Sequence, residues 1–199
     1  MKKAARVFAG MAVAVCMMMT AGSAVAAENG SKFKLGVGTY GLIIEGDSAT
    51  QGTDDDTFYG GALVGTACFT QHVAIRGAFY ATEHEDYSDL EMSGMDLQLL
   101  LGTNFYEGFN VFGGIGVYSE TLEMSGGSFN GVSINAEKDF SGAQASFGVG
   151  YSWSKVSLDY VINIRDKSDY EDFIREYSGT NSVDNIVAVS GGITLSYIF

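Results

Sequence analysis

Residues 185–199 read N-I-V-A-V-S-G-G-I-T-L-S-Y-I-F, and their two-residue rhythm decides the fold. Ile193, Leu195, Tyr197 and Phe199 fall on one side of an extended chain, and Ser190, Gly192, Thr194 and Ser196 on the other. Successive side chains of a strand point to opposite faces, so this strand has one apolar face and one small, polar face. The sequence ends on an aromatic residue, two after Tyr197.

The same rhythm runs back through the chain. It predicts strands over Ser31–Ile44, Thr57–Phe69, Val73–Thr82, Met92–Phe105, Phe109–Glu120, Phe140–Trp153 and Val156–Asp166, ahead of Asn185–Phe199. The apolar faces carry Phe33, Leu35, Val37 and Ile43, then Tyr59, Leu63, Ala67 and Phe69, then Met95, Leu97, Leu99 and Leu101. Phe58 and Val64 hold the opposite parity of the second strand. The connections alternate. Glu45–Asp56, Glu83–Glu91, Thr121–Asp139 and Lys167–Asp184 are long and polar; the turns at Thr70–His72, Tyr106–Gly108 and Ser154–Lys155 are short. Eight strands and four hairpins result, with both chain ends on the short-turn side.

Apolar faces stay apolar for about ten residues per strand, the length a tilted strand needs to cross hydrocarbon. Phe69, Tyr106, Phe109, Tyr151, Trp153 and Phe199 collect at the short-turn ends, where an aromatic girdle would lie. A soluble barrel would reverse the sense, apolar inside and polar outside. The absence of proline suits strands whose every N–H must be bonded.

Residues 1–26 read as a cleaved signal: Lys2, Lys3 and Arg6, an apolar run over Val7–Met19, then Ala24-Val25-Ala26. Cleavage after Ala26 is expected, with Ala27 as the rival, leaving a barrel domain over 27–199. Val15 before Cys16 stands where lipidation wants a small residue, which excludes a lipoprotein. Cys68 is then the lone cysteine, a small apolar side chain on a strand. Three of the 11 basic residues and none of the 24 acidic ones lie in 1–26, so the remainder carries eight against 24, a net −16. That excludes nucleic acid as a partner, because phosphates need Lys and Arg.

Taken together, the leader, the hairpin rhythm and the ending Ile193-Thr194-Leu195-Ser196-Tyr197-Ile198-Phe199 resemble the small OmpA/OmpX-type outer-membrane barrels. The resemblance implies an eight-stranded antiparallel up-and-down transmembrane β-barrel, monomeric, with periplasmic termini. It implies that the outer-membrane assembly machinery recognises Ile193, Leu195, Tyr197 and Phe199. It also implies contact with outer-membrane lipid and lipopolysaccharide.

An eight-stranded interior is just wide enough for side chains to fill it. The inward residues expected there are Lys34, Arg76, Asp96, Gln98, Glu120, Gln144, Asp159 and Arg165. Three cations face three carboxylates, and buried charges need partners. Arg165 is expected to pair with Asp96 or Glu120, and Arg76 with Asp159. The bland reading is a plugged polar core; the functional one is an ion path, kept open by Gly36, Gly38, Gly114, Gly116, Gly148 and Gly150.

His84-Glu85-Asp86-Tyr87-Ser88 brings a base, acids and a hydroxyl together in one loop, but crowding is not the aligned geometry that nucleophilic catalysis needs. His72 lies in a short turn with no such neighbours. Asp54–Asp56, Glu83–Glu91 and Asp169–Glu176 crowd the outer ends with carboxylates, ligands suited to divalent cations but without a known loop spacing. Lys138, Lys167 and Arg175 are the basic residues placed to meet lipid phosphates. No cofactor is expected. The readings left are a non-enzymatic surface protein, a narrow channel and a lipid A-modifying enzyme.

Overall fold

The computed structural model describes residues 30–48, 52–87, 89–129, 132–172 and 184–199; residues 1–26, read above as a leader, lie outside them. The strands are β1 (Lys32–Ser48), β2 (Gly52–Cys68), β3 (Val73–His84), β4 (Leu90–Gly102), β5 (Gly108–Phe129), β6 (Val132–Ser152), β7 (Val156–Arg165) and β8 (Asp184–Ile198). Each pairs antiparallel with its neighbours in sequence, and β1 pairs with β8, so the sheet closes into a barrel in the order β1 to β8. Among the described residues no helix is long and apolar enough to cross a membrane.

The expected parity holds on every strand. Outward residues such as Val37, Leu101 and Ile115 are 64%, 62% and 70% exposed, a surface incompatible with water and suited to lipid. Even-numbered Phe58 and Val64 of β2 point inward and are buried. At the short-turn rim Phe69, Phe109, Tyr151, Trp153, Tyr197 and Phe199 stay exposed. The Tyr151 ring lies tilted against Trp153 at 4.7 Å, and Phe199 lies 5.0 Å from Tyr197 and 6.0 Å from Phe33. Phe199 N–H donates to Phe33 C=O at 2.9 Å, which ties the end of the chain to its first strand. Tyr106 departs from the girdle: it is half-buried, and its hydroxyl reaches the Phe69 carbonyl at 3.3 Å.

Four connections differ from expectation. The segment Glu45–Asp56 is mostly strand, with Glu45 opposite Asp55 and Ser48 opposite Gly52. Likewise Thr121–Asp139 continues the ladder, from Thr121 opposite Asp139 to Phe129 opposite Val132. Above a membrane a strand needs no apolar face, so backbone pairing persists where the alternation that betrays it has stopped. Conversely, β4 ends at Gly102 rather than at Phe105. Thr103 Oγ1 and Asn104 N–H both turn to Asn110 Oδ1, a local alternative to the ladder. Phe105 then folds under the barrel, 5.7 Å from Phe112. The connection read as Lys167–Asp184 opens with a helical turn over 168–172.

The β1–β8 ladder is interrupted. Partners run from Lys34 opposite Ile198 to Gly38 opposite Thr194 and resume at Gly41 opposite Gly191. In the gap Thr39 Oγ1, not a carbonyl, accepts from Ile193 N–H at 3.2 Å.

Candidate functional site in the lumen

Even-numbered positions of seven strands and odd-numbered positions of β7 converge on the barrel axis, and two apolar clusters close its ends. Toward the long loops lie Leu42, Phe58, Met92, Leu122, Phe140 and Tyr170; toward the short turns lie Cys68, Leu100, Phe105 and Phe112. The polar residues occupy the layer between.

Arg165 is the centre of the upper part. Its Nη1 donates to Glu120 Oε2 at 2.6 Å, and its Nη2 donates to Asp96 Oδ1 at 3.0 Å. The same two nitrogens donate to the hydroxyls of Tyr170 at 3.3 Å, Tyr40 at 2.5 Å and Tyr80 at 3.0 Å. Those phenols pass their own protons on: Tyr40 to Asp96 at 2.9 Å, Tyr80 to Glu120 at 2.7 Å, and Tyr170 to the other Glu120 oxygen. Tyr40 and Tyr80 stack at 3.9 Å, and the guanidinium lies 4.4 Å from the Tyr118 ring. Every acceptor of the two carboxylates is thus engaged by a guanidinium or a phenol, the arrangement that makes a buried ion pair tolerable. Gly94 makes the room: a Cβ there would come within 2.6 Å of Tyr80 Oη and of Glu120 Cβ.

Below this, Arg76 donates to Gln98 Oε1 and Thr194 Oγ1, both at 3.3 Å, and Gln98 donates to Asn163 at 3.0 Å. Asn163 reaches Ser190 at 3.1 Å. Lower still, Lys34 donates to Ser152 at 2.9 Å and faces Asp159 at 3.9 Å. The expected Arg76–Asp159 pair is therefore replaced: Lys34 is the cation beside Asp159, and Arg76 is held by neutral oxygens. The stagger of a closed sheet offsets facing strands along the axis, so equal counts from the rim do not give equal heights. Gln144 stands apart. Both its amide atoms, Ser146 Oγ and Arg165 Nε are buried without a partner among the described residues.

The glycines do not open a path. A Cβ on Gly148 would meet Phe112 Cε2 at 2.5 Å, and one on Gly116 would sit 3.0 Å from Gln98 Cγ. The cavity among Lys34, Arg76, Phe105, Phe112 and Asp159 measures about 10 Å³, no more than one water needs.

Tyr170 is the residue that strand reading missed. It comes from the helical turn after β7, stacks 4.9 Å from Phe140, and is 1% exposed inside the mouth at the long-connection end. No alternation marks a loop residue that folds back. Asp166 caps that turn: it accepts the hydroxyl and the N–H of Ser168 at 2.8 and 3.1 Å, and these bonds hold its carboxyl below the usual carboxylate range. Tyr40, Tyr80 and Tyr118 were readable, sharing the inward parity of Lys34, Arg76 and Glu120.

At the long-connection rim, His84 is buried beside Asp56, and its Nδ1 accepts the backbone N–H groups of Asp86 and Tyr87. Ser88 lies outside the described residues. Asp54 and Asp55 lie on β2, and residues 173–176 fall outside the described segments. Lys167 is paired with Glu171 at 2.8 Å.

Similar architectures are known. Ail, the attachment invasion locus protein of Yersinia pestis, is 12% identical with a TM-score of 0.55, over 85% of this chain and 99% of that one. OprG from Pseudomonas aeruginosa is 16% identical with a TM-score of 0.50, over 85% and 96%. Neisserial surface protein A is 10% identical with a TM-score of 0.50, over 83% and 95%. At such identities the likeness is one of fold. No curated protein sequence matches the chain. The family described as outer membrane protein beta-barrel domain matches residues 12–199. With a closed eight-stranded sheet, a lipid-facing outer surface and that match over nearly the whole sequence, the chain belongs to the outer-membrane β-barrel family of bacteria.

Proposed function

We propose that the chain is a closed, non-enzymatic surface barrel that contributes to envelope integrity or presents its acidic loops to a partner, with both termini in the periplasm. The filled lumen carries this reading. Three tiers of bonded side chains lie between two apolar clusters, so an ion crossing the barrel would have to displace Tyr170, Phe140 and the Arg165 cluster, then Phe112 and Phe105. His84 supports the non-enzymatic part, because its Nδ1 is held by two backbone N–H groups and is not directed at a nucleophile.

Outside the lipid band, the acidic residues Glu83, Glu85, Asp86, Glu91, Glu137, Asp139, Asp166, Asp169 and Glu171 far outnumber the basic ones. One solved structure of Ail is a complex with the heparin analogue sucrose octasulfate. A sulfated polyanion of that kind is a poor match for the present surface, whose charge favours cationic partners or divalent ions shared with lipopolysaccharide phosphates. Lys167 adds little to direct phosphate contact while it is paired with Glu171.

The continuous run of polar side chains from Lys34 to Glu120 favours a narrow channel as the second reading. Purified protein in a planar bilayer separates the two: no steady conductance is expected. Sustained single-channel steps from the folded protein would establish the channel instead. Lipid A mass spectra of overexpressing and null cells are expected to be identical; a modified species in the overexpressing cells would establish an enzyme.

A further inference from the structure

His84 ends β3 and is buried at the outer mouth. Its Nδ1 accepts two backbone N–H groups, from Asp86 at 3.1 Å and Tyr87 at 3.2 Å. Its Nε2 faces Asp56 Oδ1 at 3.3 Å. Phe58 meets the ring edge-on at 5.0 Å, and Tyr87 covers it at 5.1 Å. A neutral imidazole has one N–H and one lone pair. Two donors converge on Nδ1, so the lone pair is there and the proton is on Nε2, directed at Asp56. The turn between β3 and β4 is therefore built on a nitrogen that must stay unprotonated.

We propose that His84 is an acid-sensitive latch, whose protonation at Nδ1 releases the backbone N–H groups of Asp86 and Tyr87 while the barrel stays closed. A proton on Nδ1 would face two N–H donors, and both bonds would be lost. Asp86 and Tyr87 are exposed, so water takes over their freed N–H groups. The charged groups around the ring are Asp56 on β2 and, on its own loop, Glu85 and Asp86. On the β4 side the ladder sets Thr82 opposite Met92 and Glu83 opposite Glu91, which places apolar Met92 on the inner face and Glu91 on the outer. Asp56 already holds the Nε2 proton and is 61% exposed, so the extra charge gains little from it. Beyond the latch, Leu90 N–H bonds Tyr87 C=O at 3.0 Å, so release is confined to the turn. The inference goes beyond surface presentation and stands whether or not the loops meet a partner.

The test uses the full barrel in nanodiscs, followed by NMR from pH 8 to 5. The ring signals of His84 report its protonation, and hydrogen-exchange protection at Asp86 and Tyr87 reports the latch. Protection is expected to fall by about tenfold as His84 titrates, the change that about 1.4 kcal/mol produces. Exposed His72 provides an independent ring signal. His84→Asn keeps an acceptor near the Nδ1 position but does not titrate, so its protection is expected to stay level. Unchanged protection while the ring titrates, a ring that stays neutral to pH 5, or the same fall in His84→Asn would each overturn the latch. Should that variant fail to show heat-modifiable gel mobility, the wild-type titration alone decides.

Discussion

Both terminal nitrogens of Arg165 are engaged, by Glu120, Asp96 and the hydroxyls of Tyr40, Tyr80 and Tyr170. Removing the cation leaves two carboxylates in an interior that water does not reach. Arg165→Met is therefore expected to lower stability by about 3–5 kcal/mol, read as a shift of the urea midpoint in micelles. Replacing Asp96 and Glu120 by Leu in the same chain is expected to restore part of the loss, because no buried charge is then left unpaired; the hydroxyls of Tyr40, Tyr80 and Tyr170, which lose their acceptors, keep the recovery incomplete. Inward parity alone identified the three charged members. Tyr170 was hidden because it reaches the axis from a connection, where no period applies. The exchange of partners between Arg76 and Lys34 was hidden because barrel stagger cannot be counted from one strand.

At the scale of elements, the β5–β6 hairpin is the largest departure from expectation. At about 3.4 Å per residue and a tilt of about 40°, the 22 residues of β5 rise roughly 57 Å, against an apolar band of roughly 25 Å. About half of the hairpin therefore stands clear of the lipid. β4 accompanies it only as far as Leu90 opposite Met124, and β7 only to Arg165 opposite Gln144. Residues 125–136, beyond the β4 ladder, add no pairing that closes the barrel. Replacing residues 125–136 by a two-residue turn is expected to leave the barrel folded, with heat-modifiable mobility and a urea midpoint like those of the parent. Strands inside the lipid were legible because hydrocarbon imposes apolar side chains at every second position. The extension was not, since its pairing is a backbone ladder and Gly, Ser and Glu serve for that as well as any residue.

For the molecule as a whole, the sheet is a ring in which the start of β1 and the last residue meet at one rim, with Phe199 bonded to Phe33. Which strand is first is then a matter of where the ring is cut. β6 runs down to the short-turn rim through Phe147, Val149 and Tyr151 to Trp153, the same aromatic cadence as Leu195, Tyr197 and Phe199 at the end of β8. A circular permutant that joins the old ends through a short linker and opens between Ser154 and Lys155 would finish on Tyr151-Ser152-Trp153-Ser154. Trimmed of Ser154, it would present an aromatic terminus in the register of the natural one, and it is expected to assemble into the same barrel, read by heat-modifiable mobility of outer-membrane fractions. The interrupted β1–β8 seam would then lie within the continuous chain, and the paired edges of β6 and β7 would become the last to join. Sequence order, on this geometry, is an address for assembly and not a property of the finished wall.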